Sequence, residues 1–191
     1  MFNPPHLGHL VLAQEARAQL GLARVLLMPT GVAPHKRIEE DPGKEVRGEM
    51  ARLAAGADSG LEVSELELER DGPSYAYETL EALQGTEPEA ELIWLMGADA
   101  ALGLESWERP ERVVELARLA IAPRADVLRA DLDEVLARVG VGLGEAAALE
   151  MPTIGVSSSS IRHRVRAGRP IRHLVPDPVV SLIEERGLYG G

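Results

Sequence analysis

Apolar residues recur at helical intervals from Leu10 to Leu20 and stop at Gly21, after which Arg24 to Met28 reads as a buried strand. The alternation continues. Val46 to Ala57 is helix-spaced, Leu61 to Leu68 alternates like a half-buried strand, Tyr75 to Gln84 is helical, and Leu92 to Met96 is a core strand. Beyond Gly97, helical segments over Ala98 to Leu104 and Arg109 to Ala117 lead to a short strand at Leu119 to Ala122, a helix at Asp131 to Val139, and a strand at Thr153 to Val156. Two short helices close the chain, Ser160 to Ala167 and Asp177 to Arg186. The second has Asp177 as its N-cap, Pro178 at its first position and Gly187 beyond its end.

Strands alternating with helices predict an α/β fold: a Rossmann-like, doubly wound, mostly parallel sheet with helices on both faces. In such sheets ligands bind beyond the carboxyl ends of the strands, so the site is expected in those loops. With 191 residues the chain suffices for one well-cored domain over 1–191, of which 157–191 forms a C-terminal helical part. The longest apolar runs, Val25 to Met28 and Leu92 to Met96, are strand-sized and too short to span a membrane. No basic, apolar and small-residue leader pattern opens the chain, so a cytoplasmic setting is expected.

Composition narrows the chemistry. There is no cysteine, which removes disulfides, thiolate zinc sites and cysteine nucleophiles together. A net charge of -11 disfavours a broad nucleic-acid surface, so no nucleic-acid partner is expected. A small anionic ligand would need a local basic cluster within an acidic protein.

Two stretches could serve one. In Phe2-Asn3-Pro4-Pro5-His6-Leu7-Gly8-His9, two imidazoles stand three apart where a helix begins. Free helix amides, a partial positive charge and two ring donors suit nucleotide phosphates, and Gly8 admits a close backbone approach. Taken alone, the pair also fits a turn cap and a solvated histidine. Zinc is disfavoured, because no carboxylate or third ligand accompanies the pair. The second stretch is Val156-Ser157-Ser158-Ser159-Ser160-Ile161-Arg162, followed by His163, Arg164, Arg166, Arg169 and Arg172. Serine hydroxyls, helix-terminal amides and an arginine fork form a polyphosphate receptor in which Arg162 would neutralise a leaving pyrophosphate. A serine-capped helix carrying solvated arginines is the plainer alternative.

Together these stretches resemble the nucleotidylyltransferase superfamily, whose members carry H-x-G-H near the start and an I-S-S-T-x-I-R-like segment near the end. The resemblance extends to the bacterial nicotinate mononucleotide adenylyltransferase family through Pro29 to Lys36, Pro73-Ser74-Tyr75, Gly97-Ala98-Asp99, Trp107 and Leu174 to Tyr189. It implies adenylyl transfer from ATP to nicotinate mononucleotide, in NAD synthesis. His6, His9 and Arg162 would be catalytic, with Phe2, Asn3, Gly8, Gly97, Asp99, Ser157 and Ser159 around ATP. Thr30, His35, Lys36, Tyr75 and Trp107 would bind the nicotinate nucleotide. An electron-poor pyridine ring stacks well on an indole. Of the two tryptophans, Trp94 lies inside a strand and is expected in the core. Trp107 could equally pack beneath its loop, and His35 and Lys36 could be loop surface.

Such a reaction needs no protein nucleophile, since the acceptor phosphate is already an anion; positioning and charge stabilisation remain. Mg2+ would arrive with ATP, held by substrate and water, and no metal site made of protein ligands alone is expected. The nearest rival is a pantetheine-phosphate adenylyltransferase, which shares both phosphate motifs. The Trp107 region and the Gly187-Leu188-Tyr189 tail argue against it. A non-catalytic nucleotide-binding module is the rival from another class. The chain departs from the family pattern at Ala76 and Ser159, where threonine is usual, and at its start. Family members place a buried strand ending in Gly-Gly-Thr or Gly-Gly-Ser before the phenylalanine. Met1 is therefore expected to be an internal methionine, with about ten residues of one strand upstream of it. An in-frame stop immediately upstream in the gene would refute that expectation.

Overall fold

The computed structural model describes residues 2–34, 40–56, 58–124, 127–142 and 144–190. They gather into two compact units: residues 1–17, 21–74 and 154–191 in the first, and residues 18–20 and 75–153 in the second.

In the first unit, helix α1 (Leu7–Leu20) ends where Gly21 turns left-handed at φ 66° and donates its N–H to the Arg17 carbonyl. Strand β1 (Val25–Leu27) pairs in parallel with β2 (Leu61–Val63), Val25 opposite Leu61 and Leu27 opposite Val63. Helix α2 (Lys44–Ala55) makes the crossover between them. The alternation expected to run as one strand to Leu68 breaks at Ser64, and Leu66–Glu69 forms a single helical turn, α3. Past Leu27 the partner strand reaches Pro29, which has no N–H to extend a ladder. The turn instead buries Glu67 and Leu68. Helices α8 (Ser158–Arg166) and α9 (Asp177–Glu185) complete this unit, with a core of Met50, Ile161, Val175, Val179, Leu182 and Ile183. Pro176, and not Asp177, is the N-cap of α9, a shift of one residue.

In the second unit, β3 (Ile93–Gly97) and β5 (Ala147–Ala148) flank β4 (Arg118–Ala122), all parallel. Helix α4 (Ala76–Thr86) precedes β3. Helices α5 (Ala98–Ala101) and α6 (Pro110–Leu116), with a 3-10 turn at Leu104–Ser106, connect β3 to β4, and α7 (Arg129–Arg138) connects β4 to β5. Leu80, Met96, Leu104, Val113, Leu119 and Ile121 lie at the centre of its core. The strand expected at Thr153 to Val156 is not formed. Pro152 and Gly155 weaken that stretch, and the pairing partner of β4 is Ala147–Ala148, a segment whose alanines and glutamates carry no strand signal. Parallel strands joined by helices are the α/β alternation expected from the sequence. Among the described residues, no helix is long and apolar enough to cross a membrane.

Candidate active site

In the first unit, Asn3, Pro4, Pro5 and His6 are buried ahead of α1, and His6 is its N-cap. The His6 backbone N–H donates to His9 Nδ1 at 3.1 Å. The two imidazoles stack with centroids 3.8 Å apart, and the Phe2 ring meets His9 edge-on at 5.0 Å. Because Nδ1 is the acceptor, neutral His9 carries its proton on Nε2. Burial, and then the neighbouring His6, hold His9 well below the ordinary histidine value of 6.5. At neutral pH it is therefore an uncharged donor. A Cβ on Gly8 would come within 3.1 Å of the His6 ring, so glycine keeps room for that imidazole.

Ser157 caps α8 through a reciprocal box: Ser160 N–H donates to Ser157 Oγ at 3.1 Å, and Ser157 N–H to Ser160 Oγ at 3.0 Å. That leaves the two middle serines for other work. Ser158 Oγ donates to the Pro4 carbonyl at 2.8 Å, and Ser159 Oγ accepts from Arg162 Nη2 at 3.3 Å. Arg162 is only 8% exposed. Its Nη1 donates to the Asn3 carbonyl at 2.8 Å and its Nε to Glu40 at 3.0 Å, and Arg166 also pairs with Glu40. The Ser158 and Arg162 bonds thus fasten the serine-rich segment onto the histidine segment more than 150 positions away in sequence. The assembly presents a neutral imidazole donor, a guanidinium and the start of α8.

The other first-unit candidate, Thr30, leads the loop after β1. Its carbonyl accepts from Arg47 Nη2 at 2.6 Å. Arg47 also reaches the Gly31 carbonyl and pairs with Asp41, while Gly31 N–H donates to Ser74 Oγ at 3.1 Å. His35 and Lys36 lie outside the described residues.

In the second unit, Tyr75 is the N-cap of α4 and stacks on Tyr77 at 6.0 Å, with the Arg109 guanidinium 5.0 Å over the Tyr77 ring. Gly97 ends β3, and a Cβ there would lie 2.6 Å from Asp99 Oδ1. Asp99, in the single turn of α5, is half-exposed, with Arg124 at 3.9 Å. Trp107 meets Trp94 edge-on at 6.0 Å, and both rings are partly buried against the core. The two indoles therefore differ less in burial than strand position alone suggests.

Two residues around these sites escape the sequence reading, Glu40 and Arg47, and for Ser158 and Tyr189, which stand in segments already singled out, it misses the contacts that each makes. Only Arg47 leaves a signal. It shares the buried stripe of α2 with Met50, Ala51 and Ala54, and a charge at a core position of an amphipathic helix asks for buried acceptors. The others act through contacts between segments distant in sequence, which no local pattern marks. Among the described residues, no group of three or more metal-ligating side chains lies together.

Residues 1–164 match the family model described as cytidylyltransferase-like. Over 191 residues the chain is 42% identical to a protein of Roseiflexus sp. (strain RS-1) named probable nicotinate-nucleotide adenylyltransferase, covering 98% of this chain and 94% of that one. A protein of the same name from Synechococcus sp. (strain JA-3-3Ab) is 38% identical, with 98% and 90% covered. The chain belongs to the nicotinate-nucleotide adenylyltransferase family. Solved structures carry the same fold. A nicotinic acid mononucleotide adenylyltransferase of Plasmodium falciparum, complexed with NaAD, superposes with a TM-score of 0.78 at 15% identity, covering 98% of this chain and 93% of that one. A putative nicotinate-nucleotide adenylyltransferase of Vibrio parahaemolyticus gives 0.67 at 19% identity, with 99% and 90% covered.

Proposed function

We propose that this protein transfers the adenylyl group of MgATP to nicotinate mononucleotide, giving nicotinate adenine dinucleotide and pyrophosphate on the route to NAD. A 5'-phosphate oxygen of the mononucleotide forms the new bond to the α-phosphorus as the bond from that phosphorus to the bridging oxygen of the β-phosphate breaks. The departing oxygen leaves on pyrophosphate, and no proton has to be removed from the nucleophile. The single observation that supports this reading best is the fastening of Ser158 and Arg162 onto the Asn3–Pro4 carbonyls of the segment that leads into His6 and His9. A neutral Nε2–H donor and a guanidinium then serve one anion. Such donors act by stabilising charge as it develops, and each is worth about 100- to 1,000-fold in rate.

In this reading His6 and His9 contact ATP phosphates with Phe2, Asn3 and Gly8, and Ser157 and Ser159 serve the start of α8. Arg162 takes the charge of the leaving pyrophosphate. Gly97 and Asp99 lie by the adenosine; Thr30, His35, Lys36, Tyr75 and Trp107 recognise the nicotinate nucleotide. Mg2+ enters as part of MgATP. The chain works as one nucleotidylyltransferase domain, in the cytoplasm.

The test is pyrophosphate release from MgATP with nicotinate mononucleotide, nicotinamide mononucleotide and phosphopantetheine offered separately. Release with the nicotinate compound in strong preference supports the proposal. Release with phosphopantetheine alone would keep the chemistry and overturn the substrate, and silence with all three would favour a nucleotide-binding module.

A further inference from the structure

The tail beyond α9 is held at an unusual point. Gly187 turns at φ 59°, which costs glycine nothing, but Tyr189 adopts φ 63°, a conformation bulky side chains keep only where their surroundings hold them. Its ring packs against the core of the first unit, with Oη 3.8 Å from Met50 Sδ. The hydroxyl donates to Asn3 Oδ1 at 2.6 Å. Burial raises the phenol far above its ordinary value, against the lowering effect of the Arg162 charge, so the donor stays protonated.

Asn3 is 1% exposed, and among the described residues its Nδ2 has no hydrogen-bond partner. The Tyr189 hydroxyl is therefore the partner that fixes which way the buried amide faces. Without it both ends of the amide are unsatisfied away from water, a state side chains leave by reorienting. The same residue's carbonyl receives Arg162 Nη1. Two prolines follow it, each with φ locked, so the carbonyl that receives Arg162 sits on a stiff stretch of backbone that the Tyr189–Asn3 hydrogen bond anchors from the side chain.

We propose that Tyr189 is a positioning residue for adenylyl transfer: its hydroxyl fixes Asn3, and the Asn3 carbonyl aims the Arg162 guanidinium at the polyphosphate. The inference rests on the reading of Arg162 as a ligand of ATP.

The experiment compares Tyr189→Phe, Asn3→Ala, Arg162→Ala and the double variant Tyr189→Phe/Arg162→Ala with the parent protein. It reads MgATP binding by calorimetry, kcat and both KM values, and folding by circular dichroism. Removing the hydroxyl is expected to weaken MgATP binding about tenfold, the usual size of coupling between contacting residues. The mononucleotide KM should stay within about twofold. Asn3→Ala should reproduce that selective loss, and it carries the test if Tyr189→Phe does not fold. Adding Tyr189→Phe to Arg162→Ala should cost nothing further. Unchanged MgATP binding, an equal loss in the Arg162→Ala background, or a parallel rise in the mononucleotide KM would overturn the proposal. If Arg162→Ala itself binds MgATP normally, the reading of Arg162 fails, and the relay through Tyr189 with it.

Discussion

Glu40 occupies the arginines that a polyphosphate would use. One carboxylate oxygen accepts from Arg162 Nε at 3.0 Å, and the carboxylate also pairs with Arg166. If Arg162 serves MgATP as proposed, the ligand must displace or share that carboxylate. Replacing Glu40 with Gln keeps the shape and one acceptor but removes the competing charge. A charge-assisted hydrogen bond is worth about 1.5–3 kcal/mol. The Arg162 side chain is 10% exposed and that of Glu40 30% exposed. Solvent screening at the carboxylate therefore brings the net value to about 1–2 kcal/mol. Released to the ligand, that amounts to a fall of about 5- to 30-fold in the KM for MgATP. The folded protein loses about 1 kcal/mol of stability in exchange, because the guanidinium is left short of an acceptor. Steady-state pyrophosphate release at saturating mononucleotide gives the KM, and urea denaturation gives the stability. A KM that stays the same or rises would refute the reasoning, showing that Glu40 and the phosphates do not compete for Arg162.

Other predictions follow from single contacts. Arg47→Met leaves the Thr30 and Gly31 carbonyls and the Asp41 carboxylate without their buried donor, and should cost about 3–5 kcal/mol in chemical denaturation. A loss under 1 kcal/mol would mean that water takes over those acceptors. Gly31→Ala places a Cβ 2.1 Å from the Glu67 carbonyl oxygen, a backbone atom that cannot step aside. A destabilisation of about 2–4 kcal/mol is expected, and an unchanged Tm would contradict the close approach. His9 is held below 6.5, so between that lowered value and 6.5 the unfolded chain binds a proton that the folded one does not. The stability it contributes is full above 6.5 and is lost as pH falls through the window. The urea midpoint should drop less between pH 7.5 and pH 5.5 in His9→Asn than in the parent, and identical drops would exclude His9 as a source.

Element order was legible because hydrophobic periodicity and helix stops are local. Gly21 ends α1 by turning left-handed, and a serine opens α8 as a cap, each by contacts within a few residues, although the cap is Ser157 and α8 starts at Ser158, two residues before the expected Ser160. The two segments proposed to bind phosphate stand out in the sequence for the same reason, since donors cluster where helices begin. What the local pattern could not supply was pairing. Ala147–Ala148 is a strand only because β4 offers it a parallel edge, and the stretch before Ser157 is not one because it finds no such partner. The binding partners of Arg162 belong to the same category. Its carbonyl from Asn3, its carboxylate from Glu40 and the Tyr189 hydroxyl behind Asn3 come from three stretches far apart in the chain. Residue types and their spacing determined which groups could bind phosphate. Only the tertiary structure decided which of them are buried, which are already engaged and which way they face, because burial and hydrogen bonding depend on neighbours that sequence distance conceals.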